Sequence, residues 1–557
     1  MKVSFTRTLL IIIGGLLGIS SFAQKNDVPK GWHLMDKSED GYYGLSMNKA
    51  YEFVKSKNLK SSPVIVAVID SGVDTLHEDL KSILWRNVKE VPGNGIDDDK
   101  NGYIDDVYGW NFLGGRDGSN VEKDSHEAAR VYHQLKYKWA EKDVSKSSLT
   151  STDLKEFEMW SKAKEDVIGD INPLDVIQVK RMYKDMKAGD SLIRKDLSKE
   201  EYNGKDMTDY FPTVDAAKRV KRMLTNICRA NDNDEISNVM ILDELEGDIS
   251  KFEAVDKEPK PYRSEIVKDN YSDLNDKFYG NNNVMVSKSG ALHGTHVSGI
   301  IAAVRNNNLG MDGVADNVRI MTVRAVPDGD EHDKDIALAI RYAVDNGAKV
   351  VNMSFGKGLS PEKKWVDDAV KYAESKGVLL VHAAGNSHRN LDTTLNFPTA
   401  VFEDGTKAAN WITVGASGDP KAGGFTASFS NYGKKQVDVF APGVKIYSTS
   451  PGGNTYQFLQ GTSMASPVVA GLAAFILEYY PNLSPQQVKA VIEKSTINPG
   501  EKVIDPGTGE EVDLTDISVT GGLVNAYEAI KLASTLKPEL KKIDKPIQSK
   551  VKSKDKG

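Results

Sequence analysis

VRIMTVRAV (318–326), DKDIALAIRYAVDNG (333–347), AKVVNMSF (348–355), SPEKKWVDDAVKYAESKG (360–377) and VLLVHAAG (378–385) follow one another along the chain. The first, third and fifth are short, strongly apolar runs. The second places Ile336, Ala339, Ile340 and Ala343 at helical spacing. In the fourth, Ser360 is positioned to cap a helix, Pro361 to sit in its first turn and Gly377 to end it. Strands apolar on both faces and separated by helices predict an α/β domain built on a mostly parallel sheet. In such sheets functional groups collect beyond the carboxyl ends of the strands, so chemistry is expected there.

Outward from this stretch, the 557-residue chain is 39% hydrophobic with a formal net charge of -7. That suits a globular protein and gives no overall basic excess for nucleic acid or an anionic membrane. The single cysteine, Cys228, excludes an intramolecular disulfide. Residues 1–23 have the layout of a secretory signal peptide: Lys2 and Arg7, an apolar run from Leu9 to Ile19, then Ser21-Phe22-Ala23 before Gln24. No later segment approaches the roughly 18 consecutive apolar residues of a membrane helix. The mature chain is therefore expected outside the cytoplasm, in the periplasm or beyond the cell, without a membrane span.

Composition divides the remainder. Residues 24–119 and 285–533 read as two parts of the α/β domain. Residues 120–284 are highly charged and poor in glycine. Within them VYHQLKYKWAEKD, DLKEFEMWSKAKEDV, DVIQVKRMYKDMKAG and VDAAKRVKRMLTNICRA show helical spacing, which predicts a mostly helical insertion. Cys228, in the last of these, reads as a small buried apolar residue. Residues 534–557 are mostly Lys, Ser, Asp and Pro and are expected to be a disordered tail.

NGIDDDKNGYIDD (94–106) holds five carboxylates. From Asp97 it places Asp99, Asn101, Gly102, Tyr103 and Asp105 where a calcium loop of EF-hand type places its first ligands, its sharp turn and a ligating carbonyl. Position 12 is Tyr108 rather than glutamate, so the expectation is a calcium loop of similar chemistry, not an EF-hand domain. The candidate ligands are Asp97, Asp99, Asn101, Tyr103 through its carbonyl, and Asp105. RNNNLG (305–310) is a second calcium candidate, weighed against a rigid turn.

Three motifs fall at strand or helix ends. AVIDSGVD puts Asp70 after an apolar strand, HGTHVSGIIAAV puts His293 at a helix start, and GTSMASPVVAGLAAFIL puts Ser463 at another. A serine hydroxyl needs a base, and the base needs a group that fixes its tautomer and supports its charge. Asn386, in AAGNS, offers an amide donor for an oxyanion. Taken singly, Asp70 could be a turn residue, Ser463 a helix cap, and His293 with His296 a zinc pair.

Together, VIDSGVD, HGTHVSG, NMSFG, AAGN and GTSMASP resemble the subtilisin-like serine proteases, the subtilases, over about residues 30–115 and 285–533. The resemblance implies a three-layer α/β fold and a serine endopeptidase acting on proteins or peptides. It implies that Asp70 orients, His293 acts as base then acid, Ser463 is the nucleophile and Asn386 serves the oxyanion. It further implies that residues 352–356 pair with extended substrate, through Ser354 and Gly356 with Phe355 as a wall, and that Gly385 borders the pocket for the residue before the scissile bond. Where the best-studied subtilisins have a pocket-floor glycine, this chain has Asn396, which implies a shallower, more polar pocket. The resemblance also supports structural calcium. Two features depart from it: 223 residues separate Asp70 from His293, and no propeptide fits between Gln24 and Asp70. A catalytically silent peptide-binding protein on the same fold is the alternative reading.

Overall fold

The computed structural model describes residues 28–539, except 141–145, 147–148, 170–171, 232–233 and 235. The expected signal peptide and residues 540–557 of the expected tail lie outside the described residues.

A seven-stranded, all-parallel sheet organises the molecule. Its strands are β1 (Val64–Asp70), β2 (Gly109–Asn111), β3 (Val318–Arg324), β4 (Val350–Met353), β5 (Leu379–Ala383), β6 (Trp411–Ser417) and β7 (Val439–Pro442). The spatial order is β2-β3-β1-β4-β5-β6-β7. Seven consecutive residues of β6 are buried, as is nearly all of β1, because helices cover both faces. A short antiparallel pair, β8 (Ile446–Ser450) and β9 (Thr455–Leu459), stands apart.

The helices are α1 (Met47–Ser56), α2 (Glu127–Trp139), α3 (Ser151–Ile168), α4 (Pro173–Leu197), α5 (Asp215–Asn231), α6 (Asn238–Glu253), α7 (Leu292–Ala302), α8 (Asp333–Asp345), α9 (Lys363–Ser375), α10 (Thr462–Tyr479), α11 (Pro485–Lys494) and α12 (Ala526–Ala533). On one face α7 and α10 join the largest core, with Val297, Ile300, Val468, Leu472 and Phe475 packed on Val66, Val68, Val381 and Val414. On the other, α8 and α9 pack Ile336, Ile340, Val366 and Val370 against Ile69, Val323 and Val351. Each such side chain, fully buried, contributes about 1.5–3 kcal/mol. The apolar length of α10 therefore reflects a central core helix, buried on nearly every side. It is the one described helix long and apolar enough to cross a membrane.

The α8 and β4 expectations match to within a few residues. The start of α9 differs: Glu362 precedes its first turn, and the Ser360 hydroxyl donates instead to Asp333 at 2.9 Å. The insertion is helical from α2 to α6, and α6 lies beyond the segments whose spacing announced helices. The α4–α6 helices have a core of their own, including Met186, Leu224, Cys228 and Leu245. Cys228 is buried there, and burial pushes its thiol up to about 11. The chain rejoins the α/β domain before residue 284: Val267 and Tyr279 belong to the sheet core, and Asn281 exchanges backbone hydrogen bonds with Asn111. Residues 534–539 also differ from a free tail. Leu536 packs on the main core, and Gln487 Nε2 donates to the Lys537 carbonyl at 2.8 Å.

Candidate active site

Asp70 is the last residue of β1, and His293 is the second of α7. A side chain on Gly294 would place Cβ 2.2 Å from the Gly72 carbonyl, so glycine there lets α7 approach the end of β1. The His293 Nδ1 and Asp70 Oδ1 atoms are 2.8 Å apart. Asp70 is buried, and its Oδ1 also accepts from the Ser71 N–H at 2.7 Å. Burial disfavours the imidazolium, yet the Asp70 carboxylate outweighs it and holds the His293 pKa above its ordinary value. That pairing fixes the Nδ1–H tautomer and leaves Nε2 as the acceptor.

Ser463 is the second residue of α10. Its Oγ donates to the Ser354 carbonyl at 3.1 Å, and the Ser354 Oγ donates to the Ser463 carbonyl at 2.9 Å. Asn386 lies in the loop after β5. Its Oδ1 accepts from both the N–H and the hydroxyl of Thr462, each at 2.9 Å. The carboxamide oxygen is thus turned to the helix start, and Nδ2 remains as the donor. Gly461 has φ +153, and a Cβ there would sit 3.2 Å from Asn386 Nδ2, so glycine keeps this space open. Thr462 and Gly461 were not singled out from the sequence; their roles depend on the loop that folds against them.

His296 does not join His293 in a metal pair. Its Nε2 lies 3.1 Å from the Gln457 carbonyl, and burial lowers its pKa to about 3.

The substrate-side candidates also converge. Ser354, Phe355 and Gly356 continue from β4. The Phe355 carbonyl is 2.8 Å from His382 Nε2. Cβ atoms on Gly356 and Gly385 would lie 2.7 and 3.3 Å from Asn396 Nδ2, which itself is 3.2 Å from the Ala384 carbonyl. Asn396 therefore stands between the two glycines.

In the acidic loop, Glu90, Asp97 and Asp99 each offer a carboxylate oxygen within 4.8 Å of the others. Asp97 accepts from the Asn101 and Gly102 N–H groups at 3.1 and 2.8 Å. Asn101 Oδ1 accepts from the Tyr103 N–H at 2.8 Å. The Tyr103 ring is buried against Trp110 and Tyr342. Asp105 lies outside this group of three: its carboxylate accepts from the N–H groups of Gly93, Asn94 and Gly95 at 2.8, 3.2 and 2.9 Å. Glu90 stands beside Asp97 and Asp99 instead, its own carboxylate accepting from the N–H groups of Asp98, Asp99 and Asp105 at 3.0, 3.2 and 3.1 Å. It was missed because it precedes the loop and meets it only through folding. Asp106 is buried instead beneath Asn87, Asn101 and Tyr342, and burial raises its pKa to about 6. In the second candidate loop, Asn307 Nδ2 donates to the buried Asp79 at 2.6 Å.

Comparison with known proteins agrees with this geometry. The sequence profile of the Subtilase family matches residues 61–520. The chain is 40% identical over 239 residues to the thermophilic serine proteinase of Bacillus sp. (strain AK1), covering 43% of this chain and 52% of that protein. It is 41% identical over 213 residues to subtilisin DY of Bacillus licheniformis, covering 38% and 72%. It is 37% identical over 270 residues to thermitase of Thermoactinomyces vulgaris, covering 48% and 85%. With its parallel sheet and a family match across most of its length, the chain belongs to the subtilase family and is a subtilisin-like serine endopeptidase.

Proposed function

We propose that the protein hydrolyses peptide bonds through an acyl-enzyme on Ser463. The observation that carries this reading is the 2.8 Å His293–Asp70 pair at the strand end, with His293 on α7, which packs against α10, whose start carries Ser463. His293 Nε2 takes the Ser463 proton as Oγ attacks the carbonyl carbon, then gives it to the leaving amine. Asp70 keeps the imidazole oriented and supports its charge. Asn386 Nδ2 and the Ser463 N–H donate to the oxyanion of each tetrahedral intermediate. Water, deprotonated by His293, then releases the acyl group. An extended peptide adds to the Ser354–Gly356 edge, with the side chain before the scissile bond directed between Gly356, Gly385 and Asn396.

We further propose structural calcium at Glu90, Asp97 and Asp99, with Asn101 and the Tyr103 carbonyl as further oxygens. The donor set fits a hard cation. Lys89, itself 73% exposed, is the cation beside Asp99 at 3.6 Å, so a divalent ion would relieve repulsion among the three carboxylates. Bound calcium would tie the loop down without a disulfide. Residues 1–23 support export.

The test is labelling of purified protein with a fluorophosphonate serine-hydrolase probe. Labelling lost in Ser463→Ala is the expected result. A folded protein that neither labels nor cleaves peptides, yet binds them, would establish the silent peptide-binding alternative instead.

A further inference from the structure

Three consecutive residues follow the proposed substrate edge, and the insertion holds each of them. Leu359 completes the small core of Val131 and Ala163, which belong to α2 and α3. The Gly358 carbonyl accepts from Lys162 Nζ at 2.5 Å. Lys357 Nζ pairs with Glu127, the first residue of α2, at 2.7 Å. The same ammonium pairs with Asp333 at 2.8 Å and donates to the Glu331 carbonyl at 2.7 Å. Its three donors are thus all engaged. The Lys357 and Glu127 side chains are only 2% and 6% exposed.

Glu127 is itself fixed from both sides. Arg130, one turn further along α2, donates from Nε and Nη2 to the two Glu127 oxygens at 3.2 and 2.8 Å. Arg130 Nη2 also donates to the carbonyls of Asp330 and Glu331 at 3.1 and 3.2 Å. The Glu127 N–H donates to Asp330 at 2.8 Å. Burial opposes charge on Glu127, yet Lys357 and Arg130 outweigh it and hold its pKa below the ordinary value. Glu127 therefore meets Lys357 as a carboxylate in a set position.

The Lys357 backbone is one wall of the pocket region. Its N–H and carbonyl exchange hydrogen bonds with Phe397 at 2.9 and 2.8 Å. Phe397 follows Asn396 as Lys357 follows Gly356, and a Cβ on Gly356 would lie 2.7 Å from Asn396 Nδ2. The edge glycine and the pocket asparagine are thus each one residue from this bridge. Within the α/β domain, the edge is held at Ser354 by Ser463 and at the Phe355 carbonyl by His382. Lys357 is the next point of attachment, and there the hold comes from the insertion.

We propose that Glu127 is a positioning residue: by gripping Lys357 it sets the path of residues 354–356, so that the insertion governs how extended substrate pairs with this edge. This rests on the reading of Ser463 as nucleophile and of residues 354–356 as the substrate edge. A displaced edge forfeits backbone bonds already made when substrate binds, so the loss falls on KM rather than kcat. It spares a substrate with no peptide to pair.

The experiment measures kcat and KM on an extended peptide p-nitroanilide, kcat/KM on p-nitrophenyl acetate, and fluorophosphonate labelling. The main variant is the double substitution Glu127→Gln with Lys357→Met, which removes one charge of each sign. It should raise the peptide KM about tenfold, the equivalent of one or two backbone hydrogen bonds to substrate. Its kcat, ester hydrolysis and labelling should stay as in wild type. Glu127→Asp keeps the charge and withdraws the carboxylate by one methylene. It should raise KM in the same sense, and it carries the test if the double variant does not fold. An unchanged peptide KM, or peptide and ester hydrolysis lost together in folded protein, would overturn the positioning role and leave the protease reading standing. Folded wild-type protein that neither labels nor cleaves would overturn the protease reading and this one with it.

Discussion

Ser463 and Ser354 hold each other by reciprocal hydrogen bonds: each hydroxyl donates to the other's carbonyl, at 3.1 and 2.9 Å. The clasp joins the start of α10 to the substrate edge and directs the Ser463 hydroxyl toward a backbone carbonyl. In the proposed mechanism Oγ must instead donate to His293. Ser354→Ala removes one half of the clasp and keeps the other. Fluorophosphonate labelling should persist, while urea unfolding should show a loss of about 1 kcal/mol. Abolished labelling would mean that the Ser354 hydroxyl does more than position α10.

The His293–Asp70 pair sets a pH dependence. His293 must be neutral to accept a proton, and its pKa is raised by Asp70. The acid limb of kcat/KM should therefore lie above about 6.5, the unperturbed histidine value. Asp70→Asn should move the limb to lower pH and reduce kcat about 10⁴-fold. The same raised pKa contributes folding stability that is complete below the unfolded-state value and lost as pH rises through the folded one. A pH–rate profile of both proteins checks the first effect.

Thr462 fixes Asn386 through two hydrogen bonds to Oδ1, which leaves Nδ2 for the proposed oxyanion contact. Asn386→Ala should lower kcat about 10²–10³-fold with little change in KM, because the donor acts on charge that develops after binding. A change confined to KM would place Asn386 in substrate binding instead.

The calcium proposed at Glu90, Asp97 and Asp99 makes a thermal prediction independent of activity. Added calcium should raise Tm of metal-stripped wild type, and Asp97→Ala should abolish that increase. An equal increase in Asp97→Ala would place the responsive ion elsewhere.

Glu478 tests the core beneath α10. Its Oε1 accepts from the Asn317 N–H at 2.9 Å, and burial, reinforced by Asp316, raises its pKa to about 9. The folded state thus holds a proton that the unfolded state releases near its ordinary value, so stability falls as pH rises from about 4.5 to about 9. Glu478→Gln should flatten this part of the Tm–pH profile. An unchanged slope would show that other groups set it.

The sequence alone determined the sheet, its covering helices and the Asp70, His293, Ser463 and Asn386 positions, because these rest on local signals. Apolar runs mark buried strands, and long motifs mark the turns that leave them. Helix α6 is as legible as its neighbours: Ile241, Leu245 and Ile249 stand four residues apart, Ser237 caps its start, and Ile241 and Leu245 pack into the insertion's core. Only the tertiary structure decided that Glu90 joins Asp97 and Asp99 while Asp105 grips the 93–95 backbone. Only it showed that Glu127 and Arg130 knot the insertion to the loops after β3 and β4, and that Asp166 lies beside Gly358. The physical reason is common to all three. A carboxylate's partner is whatever polar group the fold brings within about 3 Å, and in a chain where Glu127 and Lys357 stand 230 residues apart, that proximity is written in no local pattern.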